Sequence, residues 1–517
     1  MSTPSQPADL VLRGGVIRTL DAAGTVASAL AVAGERIVAV GSSEAAATWI
    51  GPQTRVIELD GTCVLPGIND SHLHGAWLGA LWPATLFGAP AAGGEAAALA
   101  ADSPDGPIAP ELPQDSGHSE ANAQSSETSS PAASGLEGEN HGAQPRLVNS
   151  EAELRSAILR TQRIAASLGI TSYTEPGLGP GEDDGPTGVF GTATLRAYRA
   201  LAEAGELTAR VSALALFGLL DGASTAEAVE AGLAGLQETV GGPVGAGAAA
   251  EDPAAFWRVL GVKVFADGIP PARNAWIHGC YPEGGSGGLL VEAATTAEAA
   301  EALRAMIAAA HARGLQVAVH ATGDRTLDEL AAALGELDSA DPGSVAALRH
   351  YVIHGDLASA AAVRELGRLG AGFNTQPVIS ETTAEWLAGA VGAEAAARAW
   401  PLAEVLEAGI RLALTSDAPV VAPDWRATLA AADRWMGPAE DAAARAELLL
   451  HTVTTAGAWQ DHAEDAKGVL RVGMLADLCV LAADPVAAGI QALPGIEITH
   501  TVVGGSVVHS PEAPAVP

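Results

Sequence analysis

The feature of this 517-residue sequence that most constrains its fold is an alternation of short apolar runs with long Ala- and Leu-rich stretches. Stretches with helical character cover residues 297–313, 357–370 and 401–408. Alternating strands and helices predict a parallel sheet, either closed into a (β/α)8 TIM barrel or open and doubly wound. Chain length and the motifs described below favour the barrel. The eight predicted barrel strands are residues 64–69, 170–175, 211–217, 262–266, 316–320, 351–354, 372–377 and 411–415.

The two ends of the chain have a different pattern from the middle. Short runs rich in Val, Ile and Leu, bounded by Gly, Asp or Pro, predict strands near both termini. We therefore expect a small β-sandwich assembled from both termini (1–62 and 465–517) around a barrel domain (63–464), with two separate terminal domains as the alternative. The predicted terminal strands are residues 9–13, 15–19, 29–33, 36–40 and 55–59 at one end, and 477–481, 498–503 and 506–508 at the other.

Residues 88–146 interrupt the barrel pattern. Ala, Gly, Ser and Pro dominate this stretch, which holds nine acidic residues, one Arg and no Phe, Trp or Tyr. Such a composition buries too little apolar area to offset the entropy of ordering the chain. We interpret it as an irregular, low-complexity insertion after the first barrel strand, with a lid over the active site as the alternative.

Composition and charge limit the binding partners and the cellular compartment that we expect for this protein. A net charge of −34 argues against nucleic acid and against an anionic membrane surface as partners. The partner that we expect is a small-molecule substrate. Cys63, Cys280 and Cys479 are too few and too widely spaced for a disulfide framework. The polar start of the chain predicts no signal peptide, and no run of about 18 apolar residues predicts a membrane span. A cytoplasmic location is therefore expected.

The motif LPGINDSHLH ends the first predicted barrel strand with two histidines, His72 and His74. Residues two apart on an extended segment point the same way, so both imidazoles can reach one metal ion. By itself, such a pair is more often structural than metal-binding.

Three further polar residues follow predicted strands. His320 ends the run QVAVH, His354 ends YVIH, and Asp417 follows LALTS. Catalytic groups of TIM barrels converge at the carboxyl ends of the strands. Imidazole and carboxylate ligands suit zinc or a similar divalent ion. The sequence therefore predicts a metal site at this rim of the barrel.

These pieces, in this order, resemble the amidohydrolase superfamily, and within it the branch that includes N-substituted formamide deformylase. The resemblance lies in VLPGINDSHLH, GITSYTEPG, VKVFADG, VAVHATGDRTLDEL, RHYVIHGD, NTQP, LTSDAP and KGVLRVGMLADLCVL. It implies a metal-dependent hydrolase acting on a carbon–nitrogen bond other than a peptide bond, such as an N-formyl or N-acyl amine. A homodimer is an expectation at the level of the family.

The resemblance also implies the ligand set. His72 and His74 would bind one metal with Asp417, and His320 and His354 would bind the second. Two Zn²⁺ ions are expected, with a single metal as the alternative.

Lys263 in VKVF matches a position where family members carry a carboxylated lysine that bridges both metals. A carbamate is an anionic ligand, whereas an ammonium beside two cations would be repelled. Two alternatives are a lysine paired with Asp267, and Glu175 as the bridge instead.

Asp417 and His320 are the expected catalytic residues. Hydrolysis would use a metal-activated hydroxide, with Asp417 as the proton shuttle. The candidates for substrate binding are Arg273, Trp77, Trp276, Asp324 and Gln376.

Two rival functions remain at this point. Deaminases on this barrel carry Glu three residues after the histidine of the fifth strand, where this chain has Gly323. A cyclic-amide hydrolase on the same barrel is a related alternative. A non-catalytic binding or regulatory barrel would be expected to have lost some of the ligands, and none is missing here.

Overall fold

The structure, a computed structural model, describes residues 6–87 and 146–511. Apart from Arg146, the insertion predicted at 88–146 lies outside the described residues. The strands, labelled β1 to β16 in chain order, are Leu10–Arg18, Val26–Ala33, Arg36–Gly41, Arg55–Glu58, Cys63–Pro66, Ile68–Asp70, Ile170–Leu178, Arg210–Leu216, Trp257–Phe265, Gln316–Ala321, Tyr351–His354, Gly372–Thr375, Arg411–Leu414, Leu478–Leu481, Ile498–Val503 and Ser506–His509.

The two termini combine into one unit, as the sequence predicts, and their strands form one sheet. Its order is β16-β15-β14-β5-β1-β2-β3, and β4 pairs with the first half of β1. Successive residues of β1 face opposite sides, because Leu10 and Leu12 pack in one apolar cluster and Val11 in another. The two runs predicted at 9–13 and 15–19 are a single strand, β1, with an irregularity between Arg13 and Ile17.

The first predicted barrel strand, 64–69, is divided between the two sheets. Cys63–Pro66 pairs with β14 of the terminal sheet, and Ile68–Asp70 pairs with β7 of the barrel. Gly67 stands between them, and a Cβ there would lie 2.1 Å from the Thr171 hydroxyl oxygen. The apolar pattern of a run does not indicate which sheet the run joins. The sequence therefore predicts one strand at a place where the chain passes from the terminal sheet to the barrel.

Strands β6 to β13 form a sheet of eight parallel strands in sequential order, which confirms the predicted barrel. The sheet closes just beyond β6 and β13, where Leu73 and Ala418 form a parallel bridge. The amide of His74 donates to the carbonyl of Ala418 at 2.8 Å across the same seam. The carboxyl ends of all eight strands therefore surround one rim.

Helices of the described ranges follow most of the barrel strands. Several begin at a side-chain cap, for example Ser150 before the helix Glu151–Ser167 and Ser359 before Ala360–Arg368. The helices are Ser43–Ala47, Gly75–Leu81, Glu151–Ser167, Thr192–Glu203, Ala226–Val240, Ala246–Glu251, Thr296–His311, Asp324–Ala340, Ser344–Leu348, Ala360–Arg368, Pro377–Val391, Ala393–Ala396, Leu402–Glu407, Trp425–Met436, Ala442–Thr452, Thr455–Gln460 and Pro485–Ala488. Within the described ranges, no helix combines the length and the apolar character that crossing a bilayer requires.

A polar cluster is buried beneath the rim. The ammonium of Lys467 lies 2.6 Å from Asp461 Oδ2 and donates to the Ser172 hydroxyl at 2.8 Å. Asn69 donates to the same Asp461 oxygen, also at 2.8 Å. These contacts tie the loop after Thr455–Gln460 to β6 and β7, so charged residues hold this part of the core together.

Candidate metal centre

Three predicted ligands meet at the barrel seam. Nε2 of His72 lies 3.2 Å from Asp417 Oδ1, and Nε2 of His74 lies 3.4 Å from the same oxygen. Ligand atoms of these three residues all lie within 4.8 Å of one another, and all three side chains are buried. Two imidazoles and a carboxylate around one point form a donor set suited to a divalent ion such as zinc.

Backbone geometry holds these ligands in place. Asp417 has a φ of 58° and His354 a φ of 72°, both in the left-handed region that non-glycine residues seldom adopt. The amide of Asp417 donates to the carbonyl of His72 at 2.8 Å. Asp70 accepts from the Ser416 hydroxyl at 2.5 Å and from the His72 amide at 3.3 Å. Strained residues held this firmly are typical of functional sites.

His320 presents one free ring nitrogen. Its Nε2 lies 3.1 Å from the carbonyl oxygen of Gly268, which can only accept, so Nε2 carries the proton. Its Nδ1 is buried and has no hydrogen-bond partner among the described residues. An unprotonated, unpartnered imidazole nitrogen is the donor that a metal ion requires.

His354 is oriented in the same way by an amide. Its Nδ1 lies 2.8 Å from the side-chain oxygen of Gln376, whose NH₂ group donates to the Thr415 hydroxyl at 2.9 Å. Nδ1 therefore donates, and Nε2 remains for a ligand. The ring centroid of His354 is 4.5 Å from that of His320 and 5.7 Å from that of His72. All the predicted histidines thus lie in one cluster.

Lys263 is buried beside this cluster. Its ammonium lies 4.5 Å from the centre of the Phe265 ring and forms no ion pair within 4 Å to any described residue. Burial lowers the pKa of Lys263 to about 8. Asp267, the alternative partner, instead accepts from backbone and hydroxyl groups of residues 276, 322, 323 and 326. A lysine with a lowered pKa and no ion pair fits the chemistry of carbamate formation.

Burial lowers the pKa of His72 to about 3 and that of His354 to about 4, so both rings are neutral at pH 7. The pKa of Asp417 lies well below its usual range, because the facing histidines outweigh the effect of its burial. Burial also lowers the pKa of His74, but Asp417 and Glu175 overcome this effect and raise it to about 9. A metal ion would therefore displace a proton from His74.

Glu175 occupies a different place from that of a bridging ligand. Its Oε2 accepts from the amides of Gly75 and Ala76 and from the Tyr198 hydroxyl. Its Oε1 lies 3.6 Å from Nδ1 of His74, the nitrogen that faces away from Asp417. Glu175 thus contacts the side of the His74 ring that faces away from Asp417.

Of the predicted substrate contacts, Trp77 lies beside the cluster. Its ring centroid is 5.8 Å from that of His74 and 5.5 Å from that of Phe190. Sequence reasoning missed Phe190, which is buried and packs edge-on against His74. It lies twelve residues after β7 in a Gly-rich stretch, and nothing in that stretch marks it as a site residue.

The other predicted contacts lie on loops and at the start of the helix Asp324–Ala340. Arg273 is half-exposed and lies 2.7 Å from Glu283, Trp276 is buried under the Arg325 guanidinium, and Asp324 accepts from the amide of His278. The roles of these three residues in substrate binding stay predictions, and Gln376 is placed by its bond to His354.

The sequence profile of the amidohydrolase family matches residues 89–509 of this chain. The chain belongs to the amidohydrolase family. The match includes His320, His354 and Asp417, and it begins after His72 and His74.

Among curated proteins, this amidohydrolase is similar to YtcJ of Bacillus subtilis (strain 168), which carries an amidohydrolase name. The two are 26% identical over 260 residues, which is 48% of this chain and 46% of YtcJ. The matched part spans less than half the length of the curated relatives.

Solved structures share the fold over most of the chain. A metal-dependent hydrolase from Pyrococcus furiosus, described as uncharacterized, has a TM-score of 0.63 and 21% identity, covering 92% of this chain and 99% of its own. A Xaa-Pro dipeptidase with bound methionine has a TM-score of 0.58 and 16% identity, covering 97% and 100%. At these identities the likeness concerns the fold.

Proposed function

We propose that the chain is a metal-dependent hydrolase that cleaves an amide-type carbon–nitrogen bond in a small molecule. The observation that carries this proposal is the convergence of ring nitrogens at one barrel rim around the carboxylate of Asp417. His72 and His74 would hold one Zn²⁺ with Asp417, and His320 and His354 would hold the second, with Lys263 as a carbamate between them. When bound, such ions activate water and polarise a substrate carbonyl.

The protein's own groups supply the proton transfers. Asp417 is ionised, because its pKa is well below the usual range, so it can accept a proton from the attacking water. It can then return that proton to the nitrogen of the departing amine, so that the amide bond breaks with no net change in the enzyme. His320 and His354 are neutral and serve as ligands.

The substrate class is the finer part of the proposal. The motif resemblance favours N-formyl and N-acyl amines, whereas one protein of similar fold is a Xaa-Pro dipeptidase. Deamination is disfavoured, since a Cβ at Gly323 would lie 2.1 Å from the Trp276 carbonyl oxygen and no Glu fits there.

A hydrolysis screen tests the proposal. Zinc-loaded protein is offered N-formyl amines, N-acyl amines, cyclic amides, Xaa-Pro dipeptides and adenine, with Asp417→Asn as the blank. The proposal is supported if the wild-type protein releases an amine from an acyl compound and Asp417→Asn does not. Ammonia release from adenine alone, or no turnover of any compound, would contradict it.

A further inference from the structure

We propose that Tyr198, acting through Glu175, is a positioning residue that sets the ring orientation and tautomer of His74. The inference rests on the proposed metal centre and names residues that support it from behind. Tyr198 lies on the helix Thr192–Glu203, and the partners of its hydroxyl are Glu175 and Tyr173.

Two unpartnered atoms face each other behind the metal centre. Nδ1 of His74 and Oε1 of Glu175 are both buried, and neither has a hydrogen-bond partner among the described residues. They lie 3.6 Å apart, slightly longer than a hydrogen bond. A proton on Nδ1 of His74 would point towards this carboxylate oxygen. Nε2, on the side of Asp417, is then left with its lone pair for a metal.

The other oxygen of Glu175 is anchored. Oε2 accepts from the Gly75 amide at 2.7 Å, from the Ala76 amide at 3.2 Å and from the Tyr198 hydroxyl at 2.8 Å. Two of these donors are the amides of the first residues after His74, so the carboxylate of Glu175 caps the start of the helix Gly75–Leu81. Among the described residues, Tyr198 supplies the one side-chain donor to Oε2, and it thereby fixes the direction in which Oε1 points.

The hydroxyl of Tyr198 is itself oriented by a chain of donors. Gln162 accepts at Oε1 from the amides of Thr208 and Ala209, so its NH₂ group faces Tyr173 and donates at 3.0 Å. The hydroxyls of Tyr173 and Tyr198 lie 3.2 Å apart. Because the Tyr198 proton goes to a carboxylate, Tyr173 donates to Tyr198. All donors therefore run in one direction, ending at Glu175, and each bond polarises the next.

The surroundings leave Tyr198 little freedom. The Trp257 ring stacks on it with centroids 5.1 Å apart and an interplanar angle of 4°. Residue 75 must be small, because a Cβ on Gly75 would lie 2.4 Å from the Tyr198 hydroxyl oxygen. The glycine after the two histidines thus lets a tyrosine hydroxyl approach the start of the helix.

The test compares zinc affinity in Tyr198→Phe and Tyr351→Phe. Tyr351 is a matched control, since its hydroxyl is buried and has no hydrogen-bond partner among the described residues. Full-length proteins are stripped of metal, and zinc is titrated in competition with a chromophoric chelator. We expect Tyr198→Phe to weaken zinc binding at the site of His72 and His74 by about 10- to 100-fold, and to shift the visible absorption of the cobalt-loaded protein. Tyr351→Phe should match the wild type in both measurements.

Glu175→Gln keeps an oxygen for the two amides and Tyr198 but places an NH₂ group opposite His74 Nδ1. Glu175→Gln should weaken zinc binding as Tyr198→Phe does. It therefore provides a second test if Tyr198→Phe does not fold. Unchanged zinc affinity and cobalt spectrum in folded variants would overturn this inference alone. A wild-type protein that binds no zinc would instead overturn the proposed function.

Discussion

Asp417 and His72 are joined twice, once by side chains and once by backbone. Asp417 Oδ1 lies 3.2 Å from Nε2 of His72, and the amide of Asp417 donates to the carbonyl of His72 at 2.8 Å. The two residues follow the first and last strands of the barrel, β6 and β13. The contact that closes the barrel therefore also assembles the candidate metal centre.

Replacing Asp417 with Asn should separate fold from catalysis. The amide keeps the shape and the backbone bond to His72, so the far-UV circular dichroism spectrum and barrel fold should be retained. An amide cannot take up the proton of water, so hydrolysis should fall by about 10²-fold or more. Asp441→Asn, at an exposed helix start, is the control and should keep full activity. Wild-type rates in Asp417→Asn would remove this residue from its role.

Gln376→Leu should weaken one metal site selectively. The substitution removes the acceptor of His354 Nδ1, so the ring loses its orientation and tautomer. Affinity for the second zinc should fall by about 10- to 100-fold, while the first zinc binds as before. Stepwise zinc titration by calorimetry checks this, with Gln491→Leu as a control outside the metal centre. Equal loss at both sites would speak against the assignment of His354.

The metal-free protein should lose stability in alkaline solution. Burial alone would lower the pKa of His74, but Asp417 and Glu175 raise it to about 9, above the ordinary value of 6.5. The folded state then binds the extra proton, so this contribution to stability is complete below pH 6.5 and is lost as the pH rises through about 9. Melting temperatures of metal-free protein at pH 6.5 and 9.5 measure the loss. In His74→Gln the melting temperature should fall less between these two pH values than in the wild type. An equal fall in the wild type and in His74→Gln would show that His74 is not the group responsible.

Lys467→Met should destabilise the barrel without changing its chemistry. The substitution leaves the carboxylate of Asp461 buried and without its cation, which costs about 3–5 kcal/mol of unfolding free energy. Arg398→Met breaks an exposed ion pair with Glu394 and should leave stability unchanged. Denaturant unfolding of both variants provides the comparison. Equal stability of the two would show that the buried pair contributes little.

Much of the barrel and most of the candidate ligands could be predicted, because both depend on local patterns. Apolar runs indicate strands, and polar residues at their ends indicate the rim, as at His320, His354 and Asp417. The division of residues 64–69 between two sheets could not be predicted, since it depends on which partner each half meets.

The support behind the ligands was also hidden from sequence reasoning. Glu175 ends a predicted strand as a ligand would, yet it lies inside β7 and faces the nitrogen of His74 that points away from Asp417. Gln162 and Tyr198 look like ordinary core residues of amphipathic helices. Their role depends on tertiary contacts between residues far apart in the chain, and such contacts leave no periodic signal.

Zinc content per chain tests the account most directly. Wild-type protein is stripped, loaded with excess zinc, freed of unbound metal and measured by mass spectrometry of the element together with protein concentration. The account predicts about two ions per chain, with a clear reduction when His72 and His74 are both replaced by Asn. A folded wild-type protein that retains no zinc, or one whose zinc content is unaffected by that double substitution, would contradict it.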